Sequence, residues 1–330
     1  MKTRAVALLS GGLDSMLAIR VLQEQGVEVE ALNFQTIFTC CKSTAAQAAR
    51  QLNVSLTVIG QEDDYLDIVR APQHGYGKGA NPCVDCRIYM FHAARRFADE
   101  RGIDVIVSGE VLGQRPMSQK RRDLLLIANA SNLEDRLLRP LSALLLPPTK
   151  AEQTGLIDRS RLHAFTGQGR KELIELAKQF DFPNIPSPST GCSLTELTFA
   201  PKVHDLIQID PGNQRWDFEL LNTGRHLRFD SHTKAIVGRR EAENEVLVNM
   251  FEREDSRASL LLEPRNFRGP TVLVVGTDSE EARNFAGGLL LRYGRDYPPA
   301  DARARLRSRE GDVEELPIEA NSAALAAETL

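Results

Sequence analysis

An apolar run at residues 5–9 leads directly into Ser10-Gly11-Gly12-Leu13-Asp14-Ser15, and an amphipathic stretch over 15–25 follows, stopped at Gly26. A short apolar run bounded by turn residues reads as a buried strand, and the periodic stretch after it as a helix. The chain therefore opens as strand, glycine loop, helix. Residues 27–34, 54–59 and 103–108 read as further strands, with helices over about 43–52 and 87–100 between them. Such alternation implies an α/β fold, a doubly wound parallel sheet covered by helices on both faces. Right-handed crossovers then put the loop after Leu9 at a carboxyl edge of the sheet, where open α/β folds bind ligands. Residues 124–128 read as another short strand and 171–180 as another amphipathic helix.

A chain of 330 residues has room for two cores, because single cores usually stop growing at roughly 250 to 300 residues. Residues 1–200 are expected to form the first domain, whose edge is marked by the turn Phe182-Pro183-Asn184-Ile185-Pro186-Ser187-Pro188. Residues 211–297 are expected to form a smaller α+β domain, with strands at 225–229, 235–237 and 271–275 and a helix at 279–292. After Tyr297-Pro298-Pro299, residues 298–330 read as a tail: arginines alternate at 303, 305, 307 and 309, no large apolar face follows, and the last dozen residues are expected to be disordered.

Two adjacent glycines between a strand and a helix let backbone N–H groups approach phosphate oxygens, and the helix dipole favours the same charge. Ser10 and Ser15 add hydroxyl donors. Asp14 repels phosphate and makes sense through Mg2+. The hexapeptide has neither the Lys of a Walker loop nor the spaced glycines of a dinucleotide fingerprint. A serine-capped turn of any doubly wound protein is the bland alternative.

The chain holds five cysteines. An odd number in a long chain suits thiol chemistry or metal binding better than a disulfide framework. Cys83 and Cys86 stand two residues apart at a predicted helix N-terminus, where thiolates are favoured, and Cys192 in Ser189-Thr190-Gly191-Cys192-Ser193 can supply a third sulfur. Three thiolates suit zinc with an open position or a four-iron cluster with one iron free, while buried free thiols or a redox pair remain open.

Ser10 to Ser15 resembles the S-G-G-x-D-S loop of the PP-loop ATP pyrophosphatases, enzymes of adenine nucleotide alpha hydrolase-like fold that adenylate an oxygen and then replace it. Asn81-Pro82-Cys83-Val84-Asp85-Cys86 resembles a segment of bacterial tRNA 2-thiouridylases. Ser108-Gly109-Glu110, Leu112-Gly113-Gln114 and Ser118-Gln119 resemble a stretch of tRNA 4-thiouridine synthetases, as does Arg139-Pro140-Leu141. The resemblance implies an ATP-dependent tRNA sulfurtransferase using ATP, Mg2+ and a [4Fe-4S] cluster. Asp14, Cys83, Cys86 and Cys192 would be catalytic, the three cysteines also being cluster ligands. Ser10, Gly11, Gly12, Asp14, Ser15, Asn33, Phe34, Gly109 and Gln114 would bind the nucleotide. Persulfide chemistry would need only Cys86 and Cys192. Cys41 resembles a cysteine of 2-thiouridylases without assigned chemistry, and Cys40 or Cys41 would serve as a fourth ligand or sulfur relay if either acted at all.

Within these residues neither the N-terminal RNA-binding module of 4-thiouridine synthetases nor the C-terminal barrel of 2-thiouridylases is evident. The segment from about 216 to 292 instead resembles an NFACT-R type domain, which implies RNA binding. A net charge of −4 gives no global basic field, so tRNA would be held by local patches, with Lys120, Arg121, Arg122, Arg239 and Arg240 the candidates. The other expected partner is a sulfur donor, a cysteine desulfurase or inorganic sulfide. Only five apolar residues precede Ser10, too few for a signal peptide or membrane span, so a cytoplasmic location is expected.

Overall fold

A computed structural model describes residues 2–39, 42–187, 191–295 and 300–330. Cys40, Cys41, Pro188, Ser189, Thr190 and the segment Tyr297-Pro298-Pro299 lie outside them. The chain divides into two compact units, residues 1–195 and 196–330.

In the first unit the elements run β1 (Arg4–Leu8), α1 (Leu13–Gln23), β2 (Glu28–Gln35), α2 (Lys42–Leu52), β3 (Ser55–Gly60), α3 (Asp64–Arg70), α4 (Cys83–Asp99), β4 (Val105–Val107), α5 (Arg121–Ala130), β5 (Leu137–Leu138), α6 (Lys150–Gln153) and α7 (Lys171–Gln179). The five strands are all parallel, in the order β3-β2-β1-β4-β5. Period-two alternation divides β1 between two cores. Ala5 and Ala7 face a layer built with α1, α2 and α7, while Val6 and Leu8 face Phe91, Ala94 and Phe97 of α4 and Ile127 of α5. The chain leaves β1 for β2 on one side and reaches β4 on the other. The crevice at this reversal opens beside the loop after β1.

Residues 124–128, expected as a strand, lie within helix α5. Leu124, Ile127 and Ala128 are buried while Leu125 is exposed, a three-and-four spacing. A five-residue apolar run carries either period, and packing against α4 selects the helical one.

The second unit comprises α8 (Ala200–Ile209), α9 (Arg215–Leu220), β6 (Arg225–Arg228), β7 (Lys234–Val237), α10 (Glu241–Glu252), β8 (Ala258–Pro264), β9 (Val272–Val275), α11 (Glu280–Arg292), β10 (Arg303–Ser308), β11 (Val313–Pro317) and α12 (Ser322–Ala326). Its antiparallel sheet runs β11-β10-β8-β9-β7-β6. One face packs against α11, and the other against Trp216 and Leu220 of α9 and Leu247 of α10.

The tail expected over 298–330 is thus corrected: residues 303–317 supply two strands of this sheet. Between the outward arginines, Ala304, Leu306 and Ser308 point inward and are buried, and Ala324 of α12 is fully enclosed beside α11. Small inward residues bury well yet give little hydrophobic signal. The unit boundary falls at 195/196, and α8 occupies the stretch that the expected domains left between them.

Candidate active site

The loop after β1 is held in one conformation by its own side chains and by the backbone pressed on it. Gly11 has φ +84°, and a Cβ there would stand 2.7 Å from the Thr44 carbonyl carbon at the start of α2. Ser10 Oγ accepts from the Gly12 N–H at 3.3 Å and lies 3.2 Å from Ser15 Oγ, which donates to the Gly12 carbonyl at 2.8 Å. Gly12 caps α1 without a side-chain bond, so the first N–H groups of an 11-residue helix face the loop without intrahelical partners. That is an anion site in geometry and sign.

Asp14 sits in its first turn. Burial pushes its carboxyl above the usual range, offset by a hydrogen bond from Gln114 and by the charges of Arg170 and Arg115. Its Oδ1 is enclosed and has no hydrogen-bond partner. An anionic oxygen left without a donor, beside a phosphate-binding loop, suits a divalent cation. Asn33 lies near the end of β2 and donates from Nδ2 to the Leu9 carbonyl at 2.8 Å, so it ties β2 to the loop. Phe34 follows it, partly buried against the α4 core.

Gly109, just after β4, packs on the other side of the loop. A Cβ at this position would lie 2.5 Å from Ser15 N and 2.6 Å from the Asp14 carbonyl, so only glycine fits. Glu110 is buried with Arg139, Nε to Oε2 2.9 Å, and Arg139 also donates to the Leu124 carbonyl. Arg87 of α4 stands 3.5 Å from the other Glu110 oxygen. The motif residues Glu110 and Arg139 thus form an ion pair beneath the site. Removing one partner of a buried pair strands the other charge. Arg139→Met should therefore cost about 3–5 kcal/mol of unfolding free energy in a urea titration followed by circular dichroism. A loss under roughly 1 kcal/mol, the usual worth of an exposed pair, would contradict it.

Cys83 and Cys86 occupy the first turn of α4, with the Cys86 N–H bonded to the Pro82 carbonyl at 2.8 Å. Cys192 reaches them because its segment is stapled on both sides. Thr39 and Cys192 form an antiparallel bridge, the Ser193 N–H donates to the Phe38 carbonyl at 3.0 Å, and the Ala80 N–H donates to the Leu194 carbonyl at 2.9 Å. Each sulfur of the pair receives a donor: Asn81 Nδ2 approaches Cys83 Sγ at 3.0 Å and the Tyr65 hydroxyl approaches Cys86 Sγ at 3.4 Å. Burial pushes the Cys86 thiol up, against the Tyr65 hydrogen bond and the charge of Arg87. Cys86, Cys192 and Cys83 all lie within electrostatic reach of the Tyr65 phenol, which burial and these sulfurs hold protonated well above its usual range.

The Tyr65 hydroxyl therefore contacts the Cys86 thiol and lies within electrostatic reach of the other two. Among the described residues no three His, Cys, Asp or Glu side chains stand so as to hold a single metal ion. A cluster asks for something different, since its cysteines bind separate irons; in donor type three thiols suit it, and Cys83 and Cys86 are each backed by a hydrogen-bond donor. Arg115 lies within electrostatic reach of both Asp14 and Cys83.

Residues 1–145 match the family model described as thiamine biosynthesis protein (ThiI), and residues 224–324 match the NFACT protein RNA binding domain. Over residues 1–145 the N-terminal unit is similar to the ThiI family. This match takes in the phosphate loop, Cys83, Cys86, Gly109, Gln114 and Arg139, and Cys192 lies beyond it. The tRNA-specific 2-thiouridylase MnmA of Pelobacter propionicus is 30% identical over 148 residues, 42% of this chain and 41% of that protein. The MnmA of Trichlorobacter lovleyi is 30% identical over 118 residues, 32% of this chain and 33% of that protein. The chain thus spans about two fifths or less of the length of these curated relatives. A crystal structure of a 4-thiouridine synthetase–RNA complex with bound ATP aligns with 63% of this chain and 51% of that one, at 20% identity and a TM-score of 0.37.

Tyr65, Arg87, Arg115 and Arg170 of the first unit were not among the residues expected to act. Tyr65 and Arg170 stand far in sequence from the groups they face, and Arg87 and Arg115 directly follow Cys86 and Gln114 at positions the motifs leave open. Of the expected RNA contacts, Arg121 donates to the Leu145 carbonyl at 2.7 Å, Lys120 is exposed and Arg122 is 90% exposed. In the second unit Arg239 is bound to Glu243 through several contacts, the shortest 2.7 Å, and Arg240 is 79% exposed. Among the described residues no helix is long and apolar enough to cross a membrane.

Proposed function

We propose that the chain catalyses ATP-dependent thiolation of a tRNA uridine at C2 or C4, with release of AMP and pyrophosphate. The observation that carries this reading is the presence, in one unit, of an anion-binding loop after β1 and of three cysteines on segments bonded to one another, Cys192 being bridged to Thr39 and its neighbour Leu194 bonded to Ala80 beside the Cys83–Cys86 pair. The uridine carbonyl oxygen attacks the α-phosphorus of ATP and pyrophosphate leaves. The free N–H groups at the start of α1 and the hydroxyls of Ser10 and Ser15 bind phosphate oxygens. Asp14 Oδ1 would hold Mg2+, and Arg115 and Arg170 offset the charge that develops on the departing group. Asn33 and Phe34 border the adenine, while Gly109 and Gln114 hold the loop and its carboxylate in place.

Sulfur then attacks the activated carbon, the carbon–oxygen bond breaks, and AMP leaves with the former carbonyl oxygen. Cys83, Cys86 and Cys192 would hold a [4Fe-4S] cluster, which when bound supplies a sulfur nucleophile at the iron without a cysteine. Inorganic sulfide, or a cysteine desulfurase together with a thiol reductant that supplies two electrons per persulfide sulfur, would restore that sulfur. Support for the cluster comes from the third thiol, Cys192, whose segment is held to the region of Cys83 and Cys86 by the Ala80–Leu194 backbone bond. The second unit would grip the tRNA, a reading supported by its match to an RNA-binding domain, with exposed Arg240 the foremost contact of the Arg239–Arg240 pair. Lys120 and Arg122 would meet RNA beside the active site.

Protein purified without oxygen should be brown, contain iron and acid-labile sulfide in near-equal amounts, and release AMP in the presence of tRNA. Colourless protein carrying zinc would overturn the cluster assignment, and release of ADP in place of AMP would overturn adenylation.

A further inference from the structure

Tyr65 belongs to none of the motifs, yet its hydroxyl donates to the Cys86 thiol at 3.4 Å. It is the second residue of α3 and only 1% exposed. Its ring meets Tyr89 edge-on, centroids 5.4 Å apart at 63°, and Tyr89 is itself anchored to Asp64 Oδ1 at 2.9 Å. The ring's place is thus set by packing, and phenylalanine would fill the same volume. What the tyrosine adds is a buried hydroxyl. A hydroxyl so enclosed needs a hydrogen-bond partner, and here that partner is Cys86 Sγ at 3.4 Å.

We propose that Tyr65 is a positioning residue for the sulfur-transfer centre: its hydroxyl donates to the Cys86 sulfur, fixes that ligand's direction and raises the reduction potential of the cluster. This rests on the cluster reading given above. Hydrogen bonds to ligand sulfurs are among the levers that set such potentials, because they draw electron density from sulfur and stabilise the more reduced, more negative state. Asn81 supplies the equivalent bond to Cys83 from inside its own motif, so two of the three ligands are backed by donors of different origin. Tyr89 lies next to the same ring with its hydroxyl on Asp64, which separates the effect of the hydroxyl at 65 from that of aromatic packing.

The test is a redox titration of anaerobically reconstituted wild-type, Tyr65→Phe and Tyr89→Phe proteins, each first analysed for iron and sulfide. The Tyr65→Phe protein should load as much iron and sulfide as wild type and titrate at a more negative potential, and Tyr89→Phe should titrate with wild type. A Tyr65→Phe potential equal to wild type, or an equal shift in Tyr89→Phe, would overturn the inference. If Tyr65→Phe does not load, site-specific 3-fluorotyrosine at position 65, a stronger donor, should move the potential positive, and no movement would overturn it. Wild-type protein that takes up neither iron nor sulfide would overturn the cluster reading itself.

Discussion

Asp14→Asn should lower tRNA-dependent pyrophosphate release by about 100-fold or more, or roughly 2.7 kcal/mol of transition-state stabilisation. Asparagine keeps the shape and can still meet Gln114, so the phosphate loop should stay folded. What disappears is the charge on an enclosed oxygen that has no donor of its own. Without that charge the proposed cation has no protein anchor at the phosphates. Pyrophosphate release from saturating ATP and tRNA measures the effect, with circular dichroism as the control for folding. Turnover within about threefold of wild type would remove Asp14 from the mechanism, since a lost charge-bearing contact normally costs far more.

Gly109→Ala should have an effect of similar size by another route. The added methyl meets Ser15 N at 2.5 Å and the Asp14 carbonyl at 2.6 Å, backbone atoms that cannot turn aside as a flexible side chain would. Overpacking of this kind costs about 1–3 kcal/mol and is relieved here by shifting the first turn of α1. A displacement of even about 1 Å can cost 100-fold when reacting groups must be aligned. ATP-dependent AMP formation should therefore fall by about that factor, while Gly60→Ala, where a Cβ meets nothing within 4 Å, should match wild type. Equal activities in the two variants would show that the loop tolerates displacement.

The phosphate loop was legible because its constraint is local. Gly11 needs positive φ, and Ser10 and Ser15 meet each other across five residues. The cysteine pair was legible for the same reason, two residues apart at a helix start. Tyr65 was not, since it meets Cys86 across 21 positions through the packing of α3 on α4. Residues 124–128 misled because five apolar residues fit a strand as well as a helix. Residues 303–317 misled because a lone leucine between alanine and serine fills the inward positions of a strand whose outward positions are arginine. Arg239 illustrates a signal present but outweighed. Its partner Glu243 stands four residues on, the spacing at which helix-start charges pair, so much of its charge is engaged within the unit.

The central claim is that this chain places sulfur on a tRNA uridine, and nucleoside mass spectrometry tests it most directly. Transfer RNA from cells lacking the gene should be missing one thiouridine, identified as the 2-thio or 4-thio form by its retention and fragmentation, and a copy of the gene should restore it. A copy carrying Asp14→Asn should not. An unchanged set of thiouridines in the deletion strain would contradict the account.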